Sequence, residues 1–172
     1  LGHAEFEAIT DGLTSLYNHR YLHERLDEEI GRCVLRGGSL GFLLIDLDDF
    51  RAFNDRHGHR AGDAALRAVA RAIESSLRQV DLAARYGGEE FAVILIDADG
   101  PVVAEVAERI RDGIATTGLA PGHGSLSVSI GTALYPADAR RREELIDKAD
   151  WAMSLAKRRG RDQVVSFGGE HQ

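Results

Sequence analysis

The chain has 172 residues, of which 44% are hydrophobic, enough for one domain with its own core and no need of a disulfide or metal staple. Its 28 acidic residues outnumber 21 basic ones, and a net charge of −7 excludes a general nucleic-acid binder, whose affinity rests on lysine and arginine. Single Cys33 forbids an internal disulfide framework, and there is neither an 18-residue apolar run nor a signal-peptide pattern. A cytoplasmic domain without membrane contact is the resulting expectation.

In chain order, His3 to Thr10 carries Phe6 and Ile9 and reads as the end of a helix entering from upstream. With Leu1 in place of a methionine, the expectation is an output module of a longer protein, its sensor domain lying before residue 1. Leu22, Leu26, Ile30 and Cys33 then share one helical face. Gly41 to Leu47 is strand-like and ends in the acidic run Asp46-Leu47-Asp48-Asp49. Leu66, Val69, Ile73 and Leu77 mark a second helix, followed by strand-like segments Leu82 to Tyr86 and Phe91 to Ile96, with Gly87-Gly88 as the hairpin tip between them. Val103, Val106, Ile110 and Ile114 mark a third helix, Leu126 to Leu134 a strand, Leu145, Ala149, Ala152 and Ala156 a fourth helix, and Gln163 to Phe167 a last strand. Helices alternating with strands, one pair joined by a tight hairpin, predict a single α/β (α+β) domain. Its central five-stranded sheet is mixed or antiparallel, flanked by helices, with a disordered tail over 168–172.

Chemistry gathers at two acidic clusters, Asp46 to Asp49 and Glu89-Glu90, each beside an apolar strand. Carboxylates brought together at strand ends repel and lose solvation, which a divalent cation relieves. Oxygen-only donors favour magnesium or manganese over zinc. Ordinary solvated turn acids are the alternative for either cluster alone. Gly87 and Gly88 either let a base or phosphate approach the backbone or supply positive φ at a turn. There is no Walker A sequence and no GxGxxG, and His57-x-His59 lacks further zinc ligands nearby. His3, His19, His23, His123 and His171 read as surface or helix residues, Arg140 to Arg142 as a solvated helix start, and Cys33 as core.

Gly87-Gly88-Glu89-Glu90-Phe91 resembles the signature of the GGDEF family, the diguanylate cyclases. Further motifs follow in the family's order. Asp11 to Asn18 resembles DxLTxLxN, Asp46 to Asp55 DxDxFKxxND, Gly58-His59 with Gly62-Asp63 GHxxGD, Ser129-Ile130-Gly131 the late SIG strand, and Ala156-Lys157 with Gly160-Arg161 AKxxGRN. The resemblance implies a palm-like nucleotidyl-cyclase fold that condenses two GTP into cyclic di-GMP and two pyrophosphates, at a site shared by the two subunits of a homodimer.

Carried over position by position, Asp46, the Leu47 carbonyl and Glu89 would hold Mg2+ or Mn2+, with Glu89 also at the attacking hydroxyl, Glu90 in the catalytic set and Arg51 near the reacting phosphate. Asn54, His59 and Asp63 would address the nucleotide, Gly87 and Gly88 would give it room, and Lys157 with Arg161, four apart on one helix face, would hold its terminal phosphates. Arg78 and Asp81, an RxxD just before the hairpin, with Arg109 on the next helix, would form the inhibitory site for cyclic di-GMP; an ordinary Arg78–Asp81 salt bridge is the alternative. The chain departs from the family pattern at His19 for arginine, Asp49 for an aromatic or histidine, Arg51 for lysine and Asp162 for asparagine. Two other functions compete with the cyclase: a catalytically silent module binding GTP or cyclic di-GMP, and a cyclase making a 3′,5′-cyclic mononucleotide.

Overall fold

A computed structural model describes residues 2–117 and 124–170. The elements run α1 (His3–Ile9), α2 (His19–Arg36), β1 (Leu40–Leu47), α3 (Phe50–His57), α4 (His59–Ser75), β2 (Leu82–Arg85), β3 (Glu90–Ile96), α5 (Gly100–Ala115), β4 (Val128–Tyr135), α6 (Arg142–Arg158), β5 (Gln163–Ser166) and α7 (Phe167–Glu170). The strands form one five-stranded sheet in the order β2-β3-β1-β4-β5. Only β4 and β5 pair in parallel, so the sheet is mixed, as expected of a fold containing both a hairpin and helical crossovers.

Central β1 explains why its sequence is apolar almost throughout. Leu43, Ile45 and Leu47 pack on one side with residues of α3, α4 and α5, while Leu40, Phe42 and Leu44 pack on the other with α2 and α6. Both faces are therefore covered, and alternation of polar and apolar residues disappears. Two glycines set how closely the helices sit. A Cβ at Gly131 would lie 2.1 Å from the Ala149 carbonyl oxygen and 2.2 Å from the Met153 nitrogen, so α6 rests directly on the backbone of β4. At Gly41 a Cβ would meet a Val103 methyl at 2.3 Å.

Three expectations change. The helix α3, at Phe50–His57, forms where the periodicity gave no element; its apolar anchors are only Phe50 and Phe53, stacked with centroids 6.1 Å apart. The fourth strand begins at Val128 rather than Leu126. Residues 168–170, expected to be disordered, continue from Phe167 as the short α7, where Glu170 pairs with Arg159 at 2.8 and 2.9 Å. Residues 171–172, like His123, lie outside the described residues.

Candidate active site

The carboxyl end of β1 and the β2–β3 hairpin build the site together. Antiparallel pairing places Asp46 opposite Glu90, and the Leu47 N–H donates to the Glu89 carbonyl at 3.1 Å. Sheet register thus brings the two acidic clusters together, though Asp46 and Glu89 lie 43 positions apart in sequence. The hairpin closes through the Tyr86 and Gly87 N–H groups, both donating to the Glu90 carbonyl, at 2.7 and 3.1 Å. Neither Gly87 nor Gly88 has positive φ, so the turn-geometry explanation of this glycine pair fails. A Cβ on Gly88 would face open space.

Motif reading from sequence missed the part that fixes this hairpin. Arg85 donates to the Gly88 carbonyl, 2.8 Å from Nη2, and to the Asp11 carboxylate at 3.3 Å. Asp11 in turn accepts from the Thr14 N–H at 2.9 Å and the Thr14 hydroxyl at 2.8 Å. The opening motif is therefore a brace for the signature hairpin. No local pattern signals it, because the pair spans 74 residues.

Electrostatics at the cluster are strained. Burial, with Glu89 and Asp48 adding repulsion, pushes the Asp46 carboxyl up from 3.8 to about 6, although Lys157 opposes the shift. Buried Asp46 Oδ1 has no hydrogen-bond partner among the described residues. Glu90 is also raised, first by burial and then by Asp46, Asp150 and Glu89. Lys157 Nζ donates to Asp48 Oδ1 at 2.9 Å and to the Leu47 carbonyl at 3.3 Å, and lies 3.6 Å from Asp46 Oδ2. Hard oxygen donors from Asp46, Leu47 and Glu89, with one buried carboxylate oxygen unpartnered, fit a magnesium or manganese ion. Among the described residues no three His, Cys, Asp or Glu side chains gather as a cage, so the rest of the coordination shell would fall to phosphates and water.

Beside this cluster lies α3 with the start of α4. Asn54 Oδ1 is buried without a hydrogen-bond partner among the described residues and rests against Gly62, the neighbour of exposed Asp63. A Cβ on Gly62 would stand 1.8 Å from Asn54 Oδ1, so only glycine leaves the amide where it is. His59 and Arg51 are exposed.

Lys157 and Arg161 do not share a helix face. The helix α6 ends at Arg158, and the chain turns through Gly160, Arg161 and Asp162, all at positive φ. Arg161 nevertheless returns to the same acidic segment, its Nε 3.6 Å from Asp49 Oδ1.

On the opposite end of β2, Arg78 pairs with Asp81 at 2.9 Å, which is the salt bridge weighed above. Asp81 also accepts from the Ile96 N–H at 3.1 Å and is nearly wholly buried, whereas the Arg78 side chain is 53% exposed. Arg109 donates to the Ser76 carbonyl, two positions before Arg78, at 3.0 Å. A cleft of about 410 Å³, lined in part by Phe6, Tyr17, Leu77, Arg78 and Asp81, opens beside the pair.

Fold and site together define an α+β domain with an oxygen-donor cluster built on a signature hairpin. The family model described as "Diguanylate cyclase, GGDEF domain" matches residues 8–163, and the chain belongs to the GGDEF family. It is 38% identical over 169 residues to the response regulator PleD of Caulobacter vibrioides, covering 96% of this chain and 37% of that protein. Diguanylate cyclase DosC of Escherichia coli is 40% identical over 161 residues, covering 92% of this chain and 35% of that one. The solved GGDEF domain of DgcB from Caulobacter crescentus, in complex with c-di-GMP, gives a TM-score of 0.87 at 34% identity, covering 94% of this chain and 96% of that one. The chain thus spans little more than a third of the length of these curated relatives. No helix among the described residues is long and apolar enough to cross a membrane.

Proposed function

We propose that this domain is a diguanylate cyclase, condensing two GTP into cyclic di-GMP and two pyrophosphates between two facing copies. The observation that carries the reading is the hairpin-built cluster of Asp46, the Leu47 carbonyl and Glu89, with Asp46 Oδ1 buried and unpartnered. These residues would hold Mg2+ or Mn2+, which when bound polarises the α-phosphate and lowers the pKa of the attacking 3′-hydroxyl.

The remaining work is positioning and charge neutralisation, the main demands of phosphoryl transfer. Asn54 pairs with the guanine edge, and the exposed Asp63 carboxylate accepts from the base's N–H donors, which adenine does not present in that arrangement. Excluding ATP follows, because the wrong base leaves buried polar groups unpaired. Lys157 and Arg161 address the terminal phosphates from α6 and the turn beyond it, and Arg51 stands near the reacting phosphate. Glu90, its carboxyl raised, and Glu89 face the attacking hydroxyl. Arg78, Asp81 and Arg109 hold the product as inhibitor, the exposed Arg78 fork meeting phosphate or the O6/N7 edge of guanine.

The open strip at Gly88 and the intact carboxylate pair support turnover over silent binding. Mass spectrometry of the product formed from GTP and magnesium tests the assignment. Cyclic di-GMP is the expected mass; a 3′,5′-cyclic mononucleotide, or unchanged GTP at every protein concentration, contradicts it.

A further inference from the structure

Asp48 stands in the middle of the acidic run, yet its carboxylate is committed to partners outside that run. It is buried, and both of its oxygens are fully used. Oδ1 accepts from the Ser129 hydroxyl at 2.7 Å and Lys157 Nζ at 2.9 Å. Oδ2 accepts from the Ser127 hydroxyl at 2.7 Å and the Asp162 N–H at 3.0 Å. An ionised carboxylate offers about four lone-pair sites, so none is left for a cation or a nucleotide. Four donors from β4, the segment before it, the end of α6 and the turn beyond α6 are thereby tied to one point. The Asp48 N–H donates to the Ser127 carbonyl at 2.9 Å, which fixes the peptide plane carrying the Leu47 carbonyl.

Lys157 has two carboxylates in reach. Asp48 holds it at 2.9 Å, and Asp46 Oδ2 lies at 3.6 Å, outside a good hydrogen bond. We propose that Asp48 is a positioning residue of the nucleotide site: it seats the Lys157 ammonium beside the Leu47 carbonyl and keeps it from closing onto Asp46. This inference rests on the cyclase reading for the identity of the nucleotide, while the seating of Lys157 is a property of the chain itself. Asp48 touches no reacting atom itself and acts through Lys157 and the Leu47 peptide.

A double-mutant cycle tests it. Asp48→Asn removes the charge with little change of shape, and Lys157→Met removes the ammonium. Each single variant is expected to raise the GTP KM by about 10- to 100-fold, the loss of one charge-assisted contact, with a smaller change in kcat. The double variant is expected to be no worse than Lys157→Met alone, because both changes act through the same ammonium. Multiplying effects, or an unchanged KM in folded Asp48→Asn, would overturn the proposal. Thermal melts confirm folding. Should Asp48→Asn not fold, Ser129→Ala, which removes one bond to the same oxygen as Lys157, enters the cycle in its place and is read by the same criterion. Calorimetric dissociation constants for GTP are measured on all four proteins alongside turnover. A wild type that binds GTP without making cyclic di-GMP defeats the cyclase reading alone, and the cycle is then decided on binding; a wild type that binds no GTP overturns both.

Discussion

Gly62→Ala separates stability from function at a single atom. Gly62 lies inside α4 and is buried, and replacing a helical glycine by alanine favours the helix by about 0.5–1 kcal/mol. The new methyl, however, would be placed 1.8 Å from Asn54 Oδ1, against a closest approach for real Cβ atoms of about 3.0 Å. The Asn54 amide is the end of a flexible side chain, so it moves by more than 1 Å while the two helices stay. A shift of that size exceeds the tolerance of a hydrogen bond to a base edge. The expected result is a melting temperature equal to or a few degrees above wild type. With it comes a GTP KM raised about 10- to 100-fold, since a lost base-edge pair costs about 1–3 kcal/mol. Discrimination against ATP should fall by a similar factor. Initial rates over a range of GTP and ATP concentrations, beside a thermal melt, measure all three. Unchanged KM and selectivity in a folded Gly62→Ala protein would refute the placement of guanine at Asn54.

Glu89→Ala, at the half-buried hairpin, is expected to abolish turnover with less than about 1 kcal/mol change in unfolding free energy; retained activity would move the cation site elsewhere. Asp46→Asn is expected to stabilise the protein without divalent ions at pH 7 while removing activity. Because the folded pKa of about 6 lies above the unfolded 3.8, the ionised group costs at most roughly 3 kcal/mol at neutral pH, a cost that disappears as pH falls from 6 to 3.8. The variant's advantage in chemical melts should therefore vanish near pH 4, and an advantage independent of pH would contradict the burial argument. Arg78→Ala should raise the cyclic di-GMP concentration for half inhibition about ten-fold or more; an inhibition curve like wild type would leave the Arg78–Asp81 pair a purely structural salt bridge. Gly131→Ala forces a methyl into the backbone of α6 and is expected to lower stability by about 3 kcal/mol or more, checked by denaturant unfolding.

How much of this was legible in the sequence depended on distance along the chain. The four longer helices and the first four strands announce themselves by apolar pattern, since each helix buries a continuous stripe and each strand most of its length. The helix α3 does not, because eight residues with two buried phenylalanines hold too little pattern to outweigh their polar neighbours. Motifs name the residue types of the candidate site, but not the contacts that hold them. Arg85 on Asp11 and Asp48 on Ser127 and Ser129 join positions more than 70 residues apart, and only the sheet brings them together. Lys157 and Arg161 show the opposite error: a spacing of four reads as one helix face, yet Gly160 turns the chain before Arg161. At Gly87-Gly88 the sequence left two explanations open, and the ordinary φ of both residues removes the turn-based one.

The joining of two GTP across two copies of this domain is read from the rate of cyclic di-GMP formation from GTP and magnesium as a function of protein concentration. Cyclic di-GMP is the expected product, at a rate rising faster than linearly until the facing pair saturates. A strictly linear rate down to the lowest concentrations, with the protein monomeric throughout, would contradict a site shared by two subunits.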